Sequence, residues 1–359
     1  MMYVVVVHLS NWWLSYDDLW FSYLFIYIFD FFGAAGFLFV SGISIALSYN
    51  KRNAKAQTSN DYTKKMHRKE YFLRAFFILI VSILFNFMIA LFYNGDLTEI
   101  WHWYVLLTIA LSQILAWPLL KTSKLFRIIF GISLWIFNIY FLEFLLPHEG
   151  ETNFYGILFY IFYRDLRDDP LISFFTFFLI GSVFGELIFE IIQIEDKNER
   201  LSILKKKMLI PSLIVVPILI TIGVLFKFPE FITTRGSLSM SLYMLGLEII
   251  LLTILLSFEE FELIHTEKSY RFLYYFSYYS LSVFIFHNPL ALLFYHQLSL
   301  EYIWFFIIPS VILAGLLLRF LHNKIEGKYS ILGWKITFSI KVLVSRMSQN
   351  IVRKRANRK

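Results

Sequence analysis

Three side chains able to take or give a proton interrupt otherwise oily stretches of this chain. His8 closes the apolar run Met2–Val7, Asp30 lies within the apolar stretch 21–49, and His287 follows Ser282-Val-Phe-Ile-Phe286 and precedes Asn288-Pro289. Imidazole titrates near neutrality and is the commonest general base, and a carboxylate can fix its tautomer. An ionisable group in an apolar run is costly, so each is a functional candidate until a structural role accounts for it. The candidate catalytic set is therefore His8, Asp30 and His287. Each histidine also has a plain structural alternative. His8 beside Trp12 suits an interfacial anchor, and His287 suits a bond to the carbonyl freed by Pro289. His102, between Trp101 and Trp103, reads as part of an aromatic belt, and Glu143, Glu186 and Glu190 read as solvated. The chain has no cysteine, and no His-x3-His or His-Glu-x-x-His spacing occurs, so no metal site is expected.

The elements that must position these groups are membrane helices. Of 359 residues, 58% are hydrophobic and 20% aromatic, well above the apolar content of a soluble domain. Apolar stretches of roughly 20 residues, each able to cross ~30 Å of hydrocarbon, recur along the whole length. They predict an all-α, polytopic membrane helix bundle of about ten transmembrane helices. The run up to Trp13 is shorter than a span, so the first helix is expected to begin upstream of Met1. Later spans are expected near 21–49, 71–93, 102–120, 125–147, 171–194, 208–227, 238–257, 272–296 and 301–321, with an interfacial or re-entrant segment at 154–163. Residues 1–321 then form one transmembrane domain, and 322–359 form a basic cytoplasmic tail whose 334–342 segment alternates with period two.

Charge orients the bundle. The net charge of +7 concentrates in the 50–70 loop, in Lys121, Lys124 and Arg127, in Lys197–Lys207 and in the tail. Such a pattern keeps basic loops and both termini in the cytoplasm and marks an integral protein of the cell membrane, with no nucleic-acid footprint. In this orientation His8, Asp30, His102, Glu143, Arg235 and His287 share the outer leaflet. On the inner side Lys51, Arg52, Lys64, Lys65, Arg68, Lys69 and Arg74 could meet a phosphorylated ligand, or simply anionic lipid.

One stretch is unusually rich in small residues: Gly33-Ala-Ala-Gly-Phe-Leu-Phe-Val-Ser-Gly-Ile-Ser-Ile-Ala-Leu-Ser48. Small residues let helices approach closely where lipid supplies no hydrophobic drive. Gly181-Ser-Val-Phe-Gly185 is a second such motif, and Pro211, Pro217, Pro289 and Pro309 fall inside spans, where they are expected to kink helices.

Val4-Val-Val-Val-His8 and Phe32–Leu47 resemble the opening of heparan-alpha-glucosaminide N-acetyltransferase-like membrane proteins. Trp103–Leu111, Phe178–Gly185 and Ser277–His287 are similar to later helices of that family, in the same order. The resemblance implies transfer of an acetyl group from acetyl-CoA, a co-substrate, to an extracytoplasmic sugar or glycan acceptor. It also implies that His8 is the catalytic candidate. The family's first helix carries an Asp and an Arg-Gly pair before this His, and the sequence starts after them. Acetyl-CoA would dock from the basic face on Lys51, Arg52 and Arg74. Its thioester would reach a cavity lined by 33–48, including Gly36, Ser41 and Gly42. Two other readings stay open: a proton-coupled transporter or flippase of a small solute or lipid-linked sugar, and a non-catalytic relative. A homo-oligomer is compatible with all three.

Overall fold

The computed structural model describes residues 1–58, 61–93, 97–164, 168–226, 237–261 and 271–325. Among them the chain is helical throughout. It runs α1 (Met2–Trp13), α2 (Leu19–Phe29), α3 (Ala34–Thr58), α4 (Lys64–Tyr93), α5 (Val105–Leu119), α6 (Lys124–Leu145) and α7 (Phe154–Phe162). It continues as α8 (Leu171–Ile192), α9 (Lys197–Leu204), α10 (Ile210–Phe226), α11 (Leu238–Glu260), α12 (Arg271–Tyr278), α13 (Ser280–Phe286) and α14 (Leu300–Ile325). Arg235 and residues 326–359 of the basic tail, with its 334–342 segment, lie outside the described residues; its first four residues continue α14.

The expected count of about ten spans is not confirmed among the described residues. Among the described residues six stretches are long and apolar enough to cross a membrane: Lys64–Leu91, Lys124–His148, Leu171–Ile192, Lys197–Leu225, Leu238–Glu260 and Leu300–Lys324. They make this an integral membrane protein. The shortfall has local causes. The expected 21–49 span is broken by a 3-10 turn, Asp30–Phe32, into α2 and α3. The expected 272–296 span is broken into α12, α13 and a 3-10 turn, Asn288–Leu292, that carries Pro289 in its first positions. Proline fixes φ and lacks an N–H, so the helix cannot continue through it unchanged. At the expected 102–120 span, α5 has 15 residues, short of a full crossing. Just before Pro211, Lys205–Leu209 widens into a π turn, so α9 and α10 form one interrupted rod.

The chain divides into two compact units, one formed by Met1–Ile26 with Thr266–Lys359 and the other by Tyr27–His265. In the second unit α8 is the centre. Every residue from Ile172 to Val183 is buried, as expected of a helix apolar on all sides. Helices α3, α5 and α6 pack around it, α4 packs on α5, and α10 on α11. The small residues flagged in the sequence lie at the α3–α8 contact. A Cβ added at Gly42 would strike the Phe178 carbonyl, one at Gly181 the Phe39 carbonyl, and one at Gly185 the Ile43 carbonyl. Backbones this close gain dispersion along their length, which is the main attraction left between helices in lipid.

Polar locks tie α6 to α8. Trp135 Nε1–H donates to Ser173 O (2.8 Å), and Thr176 Oγ1–H donates to Gly131 O (2.9 Å). Arg127, 1% exposed, donates to Ser182 Oγ (2.9 Å) and pairs with Glu186. Glu190 takes Lys124 and Lys207. The expectation that Glu186 and Glu190 are simply solvated is thus corrected: both are tied into ion pairs.

Gly42→Val and Gly181→Val are expected to push α3 and α8 apart and to cost about 1–3 kcal/mol or more by overpacking. Val40, 57% exposed on the same helix, is expected to accept Ala with little change. Thermal unfolding of the purified variants in detergent checks both, and equal melting temperatures for all three variants would contradict the packing.

Candidate functional site

In the first unit the two ends of the sequence come together. Val5, Leu9 and Trp13 recur every four residues and so form one face of α1, buried in a cluster with Tyr275, Phe276, Ile303 and Ile307. Beyond α1 the backbone itself is pinned. His296 N–H donates to Trp12 O, Leu298 N–H to Trp13 O, and Ser15 N–H to Leu298 O, each at 2.8 Å. Trp13 Nε1–H donates to Leu290 O, and Leu300 N–H to Asp18 Oδ2, both at 2.8 Å. His296 adopts a left-handed φ of 53°, and its Nδ1–H reaches Leu14 O at 2.8 Å.

This pinning brings His8 and His287 together. Their ring centroids lie 5.0 Å apart, edge to face. Trp12 stacks on His287 at 5.5 Å and meets His8 edge-on at 4.9 Å. His287 Nδ1 lies 3.0 Å from Val283 O, and a carbonyl only accepts, so Nδ1 carries the proton. In the neutral ring the lone pair then sits on Nε2, which is buried and meets no hydrogen-bond partner among the described residues. The carbonyl freed by Pro289, that of Ile285, is approached at 3.4 Å by Asn288 and not by His287. The structural alternative for His287 is therefore not the one its sequence suggests. Trp13 is fully buried, while Trp20 is 57% exposed.

Asp30 falls in the second unit, in the 3-10 turn Asp30–Phe32, and its side chain lies outside the described ones. Of the residues expected to hold the donor, Arg52 and Arg74 line one cleft at the end of α3 and α4. Lys51 is exposed and Ser41 partly buried. Gly36 lies against the Phe31 carbonyl and Gly42 against that of Phe178, so the small size of both is used by backbone packing.

His102 is more than a belt residue. Its Nε2 lies 2.6 Å from Asp168 Oδ1, and its ring stacks on Tyr104 at 4.0 Å. Arg164 reaches His102 Nδ1 and donates to Glu99 Oε1 at 2.7 Å. His102 Nδ1 also lies 3.0 Å from Glu99 Oε2. Asp169 N–H bonds Trp103 O (3.0 Å), Thr108 Oγ1–H bonds Asp169 O (2.6 Å), and both Trp101 and Trp103 donate indole N–H groups to Ile161 O. Together they clamp the turn before α5 to the turn before α8. Burial works against the Arg164 charge, but the Glu99 carboxylate outweighs it and holds the guanidinium above its ordinary value.

Two residues escaped the sequence reading. Glu248, 4% exposed in the middle of α11, was signalled by a lone carboxylate in an apolar span. His67, 3% exposed, was hidden in a basic run that reads as a solvated helix start.

Among protein families, the model described as heparan-alpha-glucosaminide N-acetyltransferase, catalytic, matches residues 1–217. That range includes His8, Asp30, the cleft and the His102 clamp, while His287 lies beyond it. No curated protein and no solved structure matches the chain.

Arg164→Ala removes a charged donor from both Glu99 and His102, and is expected to cost about 1.5–3 kcal/mol. Faster hydrogen–deuterium exchange at 97–108 and 168–170, with no change in α14, is the expected readout. Unchanged exchange across both turns would mean that the clamp does not hold them.

Proposed function

Since the chain belongs to the heparan-alpha-glucosaminide N-acetyltransferase catalytic family, a family of membrane acetyltransferases, we propose that it moves an acetyl group from acetyl-CoA to an amine or hydroxyl of an extracytoplasmic sugar or glycan. The observation that carries the reading is the pair His8–His287, with ring centroids 5.0 Å apart and a bare Nε2 on His287. His8 takes the proton of the attacking amine or hydroxyl. The new bond forms to the acetyl carbon, the carbon–sulfur bond breaks, and CoA leaves as a thiolate that is then protonated. His287, held in one tautomer by the Val283 carbonyl, is the second acid–base group. Trp12 restricts both rings and keeps water from one side of them. Asp30 enters on sequence grounds, as a carboxylate within an apolar run.

The donor enters from the cytoplasmic face in this reading, because the basic loops lie there by the positive-inside rule. Lys51, Arg52 and Arg74 supply positive charge for its phosphates, and Gly36, Ser41 and Gly42 give α3 its close-packed surface. The acceptor belongs to the opposite face.

General acid–base groups typically contribute about 10²–10⁴-fold to rate. His8→Ala and His287→Ala are each expected to lower acetyl transfer by that order in purified protein reconstituted in liposomes, with labelled acetyl-CoA as donor and a glucosamine-terminated acceptor. Asp30→Asn is expected to lower it less. Wild-type rates in His8→Ala would remove this histidine from the chemistry. Movement of label across the membrane without acetylated product would favour transport over transfer.

A further inference from the structure

In the second unit α3, α4 and α5 leave a small open cleft. Ser48 and Arg52 project into it from α3, His67, Tyr71 and Arg74 from α4, and Gln113 from α5. The spacing explains the convergence. Positions 48 and 52 are one turn apart on α3, as are 67, 71 and 74 on α4, so each helix turns one polar stripe to the cleft. Tyr71 is fixed by donating its hydroxyl to Gln113 O at 2.6 Å.

Two features of the cleft ask for a ligand. His67 is 3% exposed, its ring packed between Tyr49 (5.1 Å) and Trp117 (5.4 Å), yet its Nε2 is buried with no hydrogen-bond partner. Leaving a buried polar atom unpaired is costly, and native structures rarely do so without a reason. The charges are also unbalanced. Arg52 is paired with Glu70, whose carboxylate also accepts from Tyr62 Oη–H at 2.9 Å. Arg74 forms no ion pair with any described residue, so one guanidinium is left over at the cleft. A guanidinium fork, an imidazole nitrogen and a hydroxyl on three sides of a small space suit a compact oxyanion with several acceptor oxygens.

We infer that this cleft is a phosphomonoester site, with Arg74 and His67 as its binding groups and Arg52, held by Glu70, as its fixed wall. Two sources share that chemistry. One is the ribose phosphate of CoA, which rests on the acetyl-transfer reading above. The other is the headgroup of a phosphomonoester lipid such as phosphatidic acid.

The test compares CoA with dephospho-CoA, which lacks the ribose phosphate, for binding to the full-length protein in phosphatidylcholine nanodiscs. Charge-assisted hydrogen bonds predict a preference for CoA of about ten- to hundredfold. His67→Ala is expected to erase most of that preference while leaving dephospho-CoA affinity unchanged, a split that general unfolding would not produce, and Arg74→Gln is expected to weaken CoA more than dephospho-CoA. A second arm asks whether nanodiscs containing phosphatidic acid raise the melting temperature of the wild type but not of either variant. Preference in the first arm assigns the donor's phosphate, and a shift confined to the second assigns the lipid. Equal affinities for both coenzymes together with no lipid-dependent shift would overturn the site. The acetyl-transfer reading is judged separately: acetyl-dephospho-CoA that works as well as acetyl-CoA removes the subsite and leaves the transferase. Absence of CoA binding removes the transferase and leaves the lipid arm standing.

Discussion

The paired histidines depend on a short ladder of backbone bonds between residues 12–15 and 296–298. Helix α1 is only 12 residues long, and short helices have little stability of their own. What holds it is tertiary: the buried stripe Val5, Leu9 and Trp13 on one side and the carbonyls of Trp12 and Trp13 on the other, each taken by an amide from the far end of the sequence. Once those carbonyls are fixed, the ring of His8, one turn earlier on α1, has few places to go. It meets His287 because the 3-10 turn at Pro289 stops α13 beside it. The same turn explains the tautomer. At the end of α13 the side chain of His287 folds back on the Val283 carbonyl and leaves its other nitrogen bare.

A different constraint governs the second unit. There α3 and α8 approach until carbonyl oxygens fill the places where side chains would begin at Gly42, Gly181 and Gly185. That contact sets the angle at which α3 leaves the bundle, and so where Ser48 and Arg52 meet the polar stripe of α4. Several buried polar groups of this unit are tied to one another. Arg127 finds Glu186 and Ser182, and His102 finds Asp168 and Arg164. The imidazole of His67, by contrast, keeps one buried nitrogen without a hydrogen-bond partner.

Much of this was legible in the sequence, and the misses share a cause. Helix class and membrane embedding follow from hydropathy alone. The small residues at 33–48 and 181–185 announced close helix contacts, and they are where the two backbones meet. His8 and His287, chosen as ionisable groups in apolar runs, proved to be neighbours despite lying 279 positions apart in the sequence. What hydropathy could not see was where a span breaks. Asp30–Phe32 and Asn288–Leu292 are short and sit in apolar surroundings, so a window average passes over them, and the count of ten spans is not confirmed. His67 was missed, and His102 misjudged, for a related reason. A residue's neighbours in sequence made one look solvated and the other interfacial, while their neighbours in space, Trp117 and Asp168, come from other helices and turns.

The juxtaposition of positions 8 and 287 is the claim on which the catalytic account stands, and the chain's lack of cysteine makes it directly measurable. His8→Cys combined with His287→Cys, treated in membranes with a short bifunctional thiol reagent and then cleaved with trypsin, should yield one covalently joined N- and C-terminal peptide pair. Neither single variant should give it. Efficient labelling of both cysteines without any joined peptide would contradict the pairing.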